Sequence, residues 1–271
     1  MRSPITYLFV PGDRPERFDK ALASGADAIV LDLEDAVAPE AKGQARACVR
    51  RWIDGRRSEA GRVVVRINDA GSAWHGGDLG LVSGGGFGAA MLAKAEDPAQ
   101  IDALAAALGP AGRILPLVET ATGMWNVERL ARATRVERLV FGTIDYAVDL
   151  DLSGDERGLA VPSAQMALAS RCAGIASPVA GVTAAIDDEE RLVADVAFAR
   201  AYGFGAKLCI HPRQVPIVRR AMAPTPEEIE WARRVLAAAE GAGGAVRVDG
   251  KMVDRPVVLR ARALLDRAAG A

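Results

Sequence analysis

Eight short apolar runs recur along this chain, most of them separated by a polar turn and a stretch with apolar residues at helical spacing. The runs cover 7–10, 28–31, 63–66, 89–92, 113–117, 138–141, 178–180 and 207–210, the seventh being the weakest. Runs that are apolar throughout, rather than alternating, are the pattern of parallel strands buried on both faces. Helices are predicted over 15–24, 41–57, 98–108, 122–134, 163–173 and 187–202. Asp13 stands where it could cap the first of these and Gly25 where it could end it. Eight β–α units within about 210 residues predict an α/β protein closed into a (β/α)8 TIM barrel. An open doubly wound sheet is the alternative, but no Gly-x-Gly-x-x-Gly follows the first strand.

Two stretches break the rhythm. Residues 69–88 are glycine-rich, contain Trp74 and His75, and read as a long loop on the face where barrel loops build sites. The tail, from about residue 223, reads as a helical appendage. It comprises a helix over 227–240 with Pro226 at its start, a glycine-rich turn, a hairpin over 246–253 turning at Asp249-Gly250, and a last helix over 256–269. The expected division is therefore a barrel over 1–222 and an extension of the same domain over 223–271.

Composition narrows the partners. The chain has 271 residues, 50% of them hydrophobic and 25% charged, with 34 basic and 35 acidic side chains and a net charge of −1. This balance gives no reason to expect nucleic acid or an anionic membrane as partner. No apolar run approaches the roughly 18 residues of a membrane span, and the N-terminal segment lacks the features of a signal peptide. Three widely spaced cysteines, Cys48, Cys172 and Cys209, argue against a disulfide framework, and Cys209 reads as core. The expected compartment is the cytoplasm. With two histidines, His75 and His211, and no Cys-x-x-Cys, any metal must be held by oxygen.

The residues just after each strand converge on one mouth of such a barrel, and here they are ionic. They are Asp13 and Arg14, then Asp32, Glu34 and Asp35, then Arg66 and Asn68, Lys94 and Glu96, Glu119, Asp145, and finally His211. Glu119 and Asp145 follow neighbouring strands and together suit Mg²⁺, which binds through one or two carboxylates and completes its shell with water and substrate oxygens. Helix capping is the bland reading of each. Gly142, three residues before Asp145, lets backbone approach a ligand closely. Arg66 could clamp a carboxylate with two parallel bonds, or could pair with Asp32 or Glu34. Lys94 could serve as a Schiff-base lysine but reads better as an ion-paired one. His211, before Pro212, could be catalytic or could shape its loop. His75 reads as solvated, and Trp74 and Trp125 as packing residues.

Seven segments carry a resemblance: LFVPGDRPERFDKA (8–21), DAIVLDLEDAV (27–37), VVVRIN (63–68), LPLVETATG (115–123), FGTIDYAVDLD (141–151), KLCIHPRQV (207–215) and DGKMVDRPV (249–257). In order and spacing the chain resembles the citrate lyase β-subunit-like branch of the HpcH/HpaI aldolase superfamily. The resemblance implies a (β/α)8 barrel assembled as a homotrimer or hexamer. It implies a Mg²⁺-dependent carbon–carbon lyase that cleaves or forms a short β-hydroxyacyl-CoA thioester such as citryl-, malyl- or citramalyl-CoA. Glu119 and Asp145 would be the Mg²⁺ ligands, and Arg66, Gly142, Ile144 and Asp145 would meet the oxo acid. Arg14, Lys20, His211 and Pro212 would lie against CoA. Asp254, which otherwise reads as a helix cap before Pro256, would work as acid/base from a neighbouring subunit. One departure is visible: where the branch reads Leu-Pro-Lys after the fourth strand, this chain reads Leu92-Ala93-Lys94. Alternatives are a class II pyruvate-type aldolase acting on free hydroxy-oxo acids, a carrier-dependent lyase subunit inactive alone, and thioester hydrolysis or condensation on the same scaffold.

Overall fold

A computed structural model describes residues 3–154, 156–240 and 246–269. The glycine-rich turn expected after residue 240 and the first two residues of the chain lie outside the described residues. The chain divides into two compact units, Met1–Val218 and Arg219–Ala271.

The first unit is a closed parallel barrel in the order β1 to β8. Its strands are β1 (Thr6–Pro11), β2 (Ala28–Asp32), β3 (Val63–Ile67), β4 (Ala89–Leu92), β5 (Arg113–Val118), β6 (Val140–Phe141), β7 (Val179–Ala180) and β8 (Ala206–Cys209). Parallel pairing of Thr6, Tyr7 and Leu8 with Lys207, Leu208 and Cys209 closes it. Inside, alternate residues of every strand interlock, among them Tyr7, Val30, Val64, Met91, Leu117 and Leu208. The intervening residues face the helices.

Helices α1 (Phe18–Leu22), α2 (Lys42–Asp54), α3 (His75–Ser83), α4 (Pro98–Leu108), α5 (Ala121–Trp125), α6 (Val127–Ala131), α7 (Thr143–Asp149), α8 (Ala160–Ala173) and α9 (Glu189–Ala201) alternate with the strands, and α10 (Gln214–Met222) follows β8. Some start as their sequences demand. α4 opens with a capping box of Asp97 and Gln100 around Pro98, and Thr120 caps α5 by accepting from Gly123 N.

Several expectations need correction. Asp13 caps nothing. Residues 15–17 form a 3-10 turn whose N-cap position is Arg14, and Asp13 Oδ1 is buried without a hydrogen bond. The sixth strand is shorter than expected because Arg138 is drawn off to plug the base of the barrel. Its guanidinium donates to Pro4 O at 2.6 Å and to Ser177 O through Nε at 2.8 Å. The region 122–134 breaks at Asn126, whose side chain donates to Glu96 O at 2.9 Å instead of pointing away. Trp125, at the end of α5, is 90% exposed and is not the packing residue expected.

The largest correction is at 69–88, where α3 replaces the expected loop. Gly76, Gly77 and Gly80 weaken its intrinsic helicity. What holds it is Asp78, fully buried, which accepts from Asn68 N at 3.0 Å and from Asn68 Nδ2, and pairs with Arg46 at 3.0 Å. His75 is half-buried, with Nδ1 2.9 Å from Asn68 O, so it is not the solvated residue expected.

The second unit has its own core of Ala232, Val235, Val253, Ala261 and Leu264. It begins within α10, at Arg219, and then contains α11 (Pro226–Ala239), the hairpin β9 (Val246–Val248) with β10 (Lys251–Val253), and α12 (Arg255–Ala268). Thr225 and Glu228 form a capping box on α11. The hairpin turns at Asp249 and Gly250, both at positive φ (49° and 77°), as a two-residue turn of this twist requires.

Candidate active site

The mouth of the barrel follows from the same alternation that fills its interior. Asp32 lies one inward step beyond Val30, Arg66 one beyond Val64, and Glu119 one beyond Leu117. Each apolar interior residue is thus topped by a charge. Pairing of β2 with β3 sets Asp32 directly beside Arg66. The guanidinium then forks onto Asp32, with Nε to Oδ1 and Nη2 to Oδ2 both at 2.7 Å. Its Nη1 lies 2.8 Å from Glu34 Oε2, and the whole group lies over the Phe9 ring, 4.8 Å from its centroid. The ion pair read as an alternative from sequence is therefore present.

Asp32 is fully engaged. Beyond Arg66, it accepts from Glu34 N at 2.9 Å and Ala36 N at 3.1 Å, which coils the β2–α2 turn around it. Lys42, at the start of α2, closes that turn: Nζ donates to Leu33 O, Glu34 O and Asn68 Oδ1 at 2.7–2.8 Å. All three ammonium hydrogens are used. The same Nζ lies 5.0 Å from the Trp74 ring centroid.

Lys94 adopts φ 46°, uncommon for a side chain with Cβ. This conformation sends its N–H to Glu119 Oε1 at 2.8 Å and its Nζ to Glu34 Oε1 at 3.0 Å. The lysine is ion-paired, as its carboxylate surroundings led us to expect. Glu119 is 2% exposed, and that backbone N–H is its sole hydrogen-bond donor among the described residues. Burial pushes its carboxyl up to about 8, and the charges of Glu34 and Asp145 push the same way against the Lys94 N–H and Arg66. Burial also raises Asp35, to about 6, with Glu34 beside it. Burial would raise Glu34 too, but Arg66 and Lys94 outweigh it and hold it low. The carboxylates around Arg66 overcome burial and keep it firmly charged.

Gly142 ends β6 and precedes α7, whose first turn carries Asp145. A Cβ there would stand 2.4 Å from Glu119 Oε2, so only glycine leaves the Glu119 carboxylate its space. Glu119 and Asp145 could hold a divalent cation: both are oxygen donors, one carboxylate desolvated and the second adding its field. Among the described residues no three or more of His, Cys, Asp and Glu gather round one point. A hard ion at this place could therefore draw on two carboxylates and would be completed by other oxygens, not by a closed protein cage.

The remaining candidates fall elsewhere. Ile144 is half exposed on the first turn of α7. Arg14 and Lys20 are exposed on the β1–α1 segment, with Arg14 Nε 3.7 Å from Asp13. His211 Nδ1 accepts from Arg213 N at 3.2 Å, which shapes the turn into α10, and Pro212 follows it, exposed. Asp254 belongs to the second unit, where it caps α12 by accepting from Val257 N at 3.4 Å. Sequence reading missed Lys42, Asp78 and Phe9. Lys42 opens an amphipathic helix and reads as surface there, Asp78 hides among glycines, and nothing in the pattern marks either.

Comparison with known proteins places these features. The family model "HpcH/HpaI aldolase/citrate lyase" matches residues 6–212, and a model of a C–C bond lyase of the TIM-barrel fold matches 165–270. The citrate lyase subunit beta-like protein of Mycobacterium tuberculosis is 38% identical over 271 residues, covering 97% of this chain and 94% of the relative. The (3S)-malyl-CoA thioesterase of Cereibacter sphaeroides is 35% identical over 274 residues, with the same coverage. A crystal structure of M. tuberculosis CitE with magnesium, acetoacetate and coenzyme A superposes with a TM-score of 0.87, at 37% identity, covering 98% of both chains.

Proposed function

This chain belongs to the HpcH/HpaI aldolase/citrate lyase family, and from that premise we propose that it is a Mg²⁺-dependent lyase breaking, or forming, the carbon–carbon bond of a short β-hydroxyacyl-CoA thioester. The observation that carries the reading is Glu119: a buried carboxylate at the barrel mouth, with Asp145 adding to its field, Arg66 nearby and Gly142 opening space beside it. The relative solved with magnesium, acetoacetate and coenzyme A supports the same ligand classes here.

Glu119 and Asp145 would hold the ion. When bound, Mg²⁺ would supply Lewis-acid polarisation of substrate oxygens. Arg66, its plane fixed by Asp32 and Phe9, would receive the carboxylate of the oxo acid product on its remaining N–H groups. Arg14, Lys20 and the His211-Pro212 turn would meet the CoA portion. In cleavage the β-hydroxyl would give its proton to solvent water at the mouth as the Cα–Cβ bond breaks. The electron pair passes to the thioester as an enolate, and Asp254 from a neighbouring subunit would deliver a proton to its α-carbon. The oxo acid and the acyl-CoA are the two products. This requires an oligomer, and we propose a trimer or hexamer.

A panel of citryl-, malyl- and citramalyl-CoA with Mg²⁺ tests the reading. The expected outcome is oxo acid released in step with acyl-CoA, without free CoA thiol, and abolished by EDTA or by Glu119→Ala. Activity that survives EDTA would remove the metal from the proposal. Thioester hydrolysis is the second reading, favoured by the 35% identity to a malyl-CoA thioesterase. Free thiol appearing with no oxo acid would select it. Turnover that begins only after an acyl-carrier protein is added would mark a carrier-dependent subunit, and cleavage of free hydroxy-oxo acids a pyruvate-type aldolase.

A further inference from the structure

Outside the barrel wall, behind β6, β7 and β8, lies a cavity of about 510 Å³. Val140, Val179, Ala206 and Leu208 point into the barrel, so Phe141, Ala180 and Lys207 point out into this second space. α7, α8 and α9 and the turns beside them supply the rest of its wall. Ile144, Leu159, Val182, Phe198 and Phe204 make most of the lining apolar. A volume of this size is typical of small-molecule sites, whereas the layer between strands and helices is normally filled by side chains.

One end of the cavity is charged. Arg191 pairs with Glu156 and Asp195, both at 2.8 Å, and Thr183 donates its hydroxyl to the other oxygen of Asp195. These groups satisfy one another. Lys207 differs. It is 2% exposed, and its ammonium has one partner among the described residues, Gly181 O at 2.7 Å. An ammonium carries three N–H donors. Lys207 lines the cavity, and the described carboxylates of that lining, Glu156 and Asp195, are already bonded by Arg191 and Thr183. Burial pushes the Lys207 amine down to about 8, in spite of Asp195.

The geometry points to a second ligand site in this cavity, taking a small monocarboxylate with an apolar body: the carboxylate on Lys207 Nζ and the body against Phe141, Phe198 and Phe204. A cationic ligand would meet Lys207 and Arg191 with like charge. A purely apolar one would leave the amine unmatched. A dicarboxylate would bury a second charge for which no partner is offered. The anion-binding group of this site is Lys207, not Arg66, which is already bound to Asp32 and Glu34, and the site does not depend on the proposed reaction.

Octanoate is a suitable probe, with 1-octanol as its uncharged counterpart, both followed by calorimetry on the full-length protein. One octanoate should bind per chain. Lys207→Met, which keeps the length of the side chain, should weaken octanoate by about tenfold or more and leave 1-octanol nearly unchanged, as expected on losing a charge-assisted hydrogen bond. Should Lys207→Met fail to fold, Ala199→Phe serves instead. Ala199 lines the cavity from α9, so a ring there fills the space while leaving Lys207 and the mouth in place. It should abolish binding of both probes. No octanoate binding to the parent chain, unchanged affinity in Ala199→Phe, or displacement of octanoate by pyruvate with Mg²⁺ would overturn the proposal.

Discussion

Arg66 shows how much of the candidate site is decided at the level of single residues. Its two parallel bonds to Asp32 need a planar fork, and its third nitrogen reaches Glu34. A lysine can supply one point charge but not the fork. Arg66→Lys should therefore leave Asp32 half-matched and lower kcat/KM by roughly 10²-fold or more, the scale of a lost bidentate contact at about 3 kcal/mol. A kcat/KM within a fewfold of the parent value would show that the fork is dispensable. Lys207 offers a test by pH. Its amine is held at about 8 in the folded chain against 10.5 as a free side chain. Between these values the unfolded chain binds the extra proton, so stability rises with pH, and the cost of burying the amine is fully present below about 8. That cost is on the order of 3 kcal/mol. Urea midpoints at pH 8 and pH 10 should rise more for the parent than for Lys207→Met, in which this contribution is absent. At this scale the charged positions after each strand were legible, because the ends of apolar runs mark a mouth. The pairing of Arg66 was legible only as one of two alternatives, because spacing names Asp32 and Glu34 but strand register decides that it binds both.

Elements explain why the mouth keeps its shape. The turn from β6 into α7 brings Gly142 against Glu119, and Gly142→Ala would set a methyl 2.4 Å from Glu119 Oε2. Either the carboxylate or α7 must shift. The expected result is an intact fold with Mg²⁺ affinity weakened at least tenfold, read by competition against Mn²⁺ in electron paramagnetic resonance; unchanged affinity would place the ion elsewhere. α3 is the opposite case, an element held by tertiary contacts against its own propensity. Asp78 anchors it to β3 and α2 through Asn68 and Arg46. Asp78→Ala should cost on the order of 3 kcal/mol by leaving those buried donors unmatched. Amides 75–83 should then exchange faster in deuterium than those of α4, and equal protection would show that the glycines carry the helix unaided. This is also why α3 was not legible in the sequence. Glycine content speaks for a loop, and the residue that overrules it is recognisable only once Asn68 and Arg46 lie beside it. The strands were legible because each centres on a short, mostly apolar run, which is a property of the run alone.

At the scale of the whole molecule, the proposed reaction would need a barrel and a tail to act together. The barrel holds Glu119, and the second unit holds Asp254 at the N-terminus of α12. If Asp254 serves a neighbour's mouth, a chain lacking Glu119 and a chain lacking Asp254 can complete each other, because the barrel of one and the tail of the other are both intact. Glu119→Gln and Asp254→Asn should each be inactive alone, the second with turnover reduced by about 10²–10⁴ while Mg²⁺ still binds. Co-expressed in equal amounts, they should regain about a quarter of parental activity, since random closed assembly pairs a sound barrel with a sound neighbouring tail at that frequency. If Asp254 serves its own barrel, every mixed site carries one defect and activity stays at the background of the single variants. Recovery thus requires both an oligomer and an exchanged aspartate, and the double variant Glu119→Gln/Asp254→Asn mixed with parent chain supplies the control. Its loss of activity should follow the fraction of defective barrels and tails together, more steeply than dilution alone.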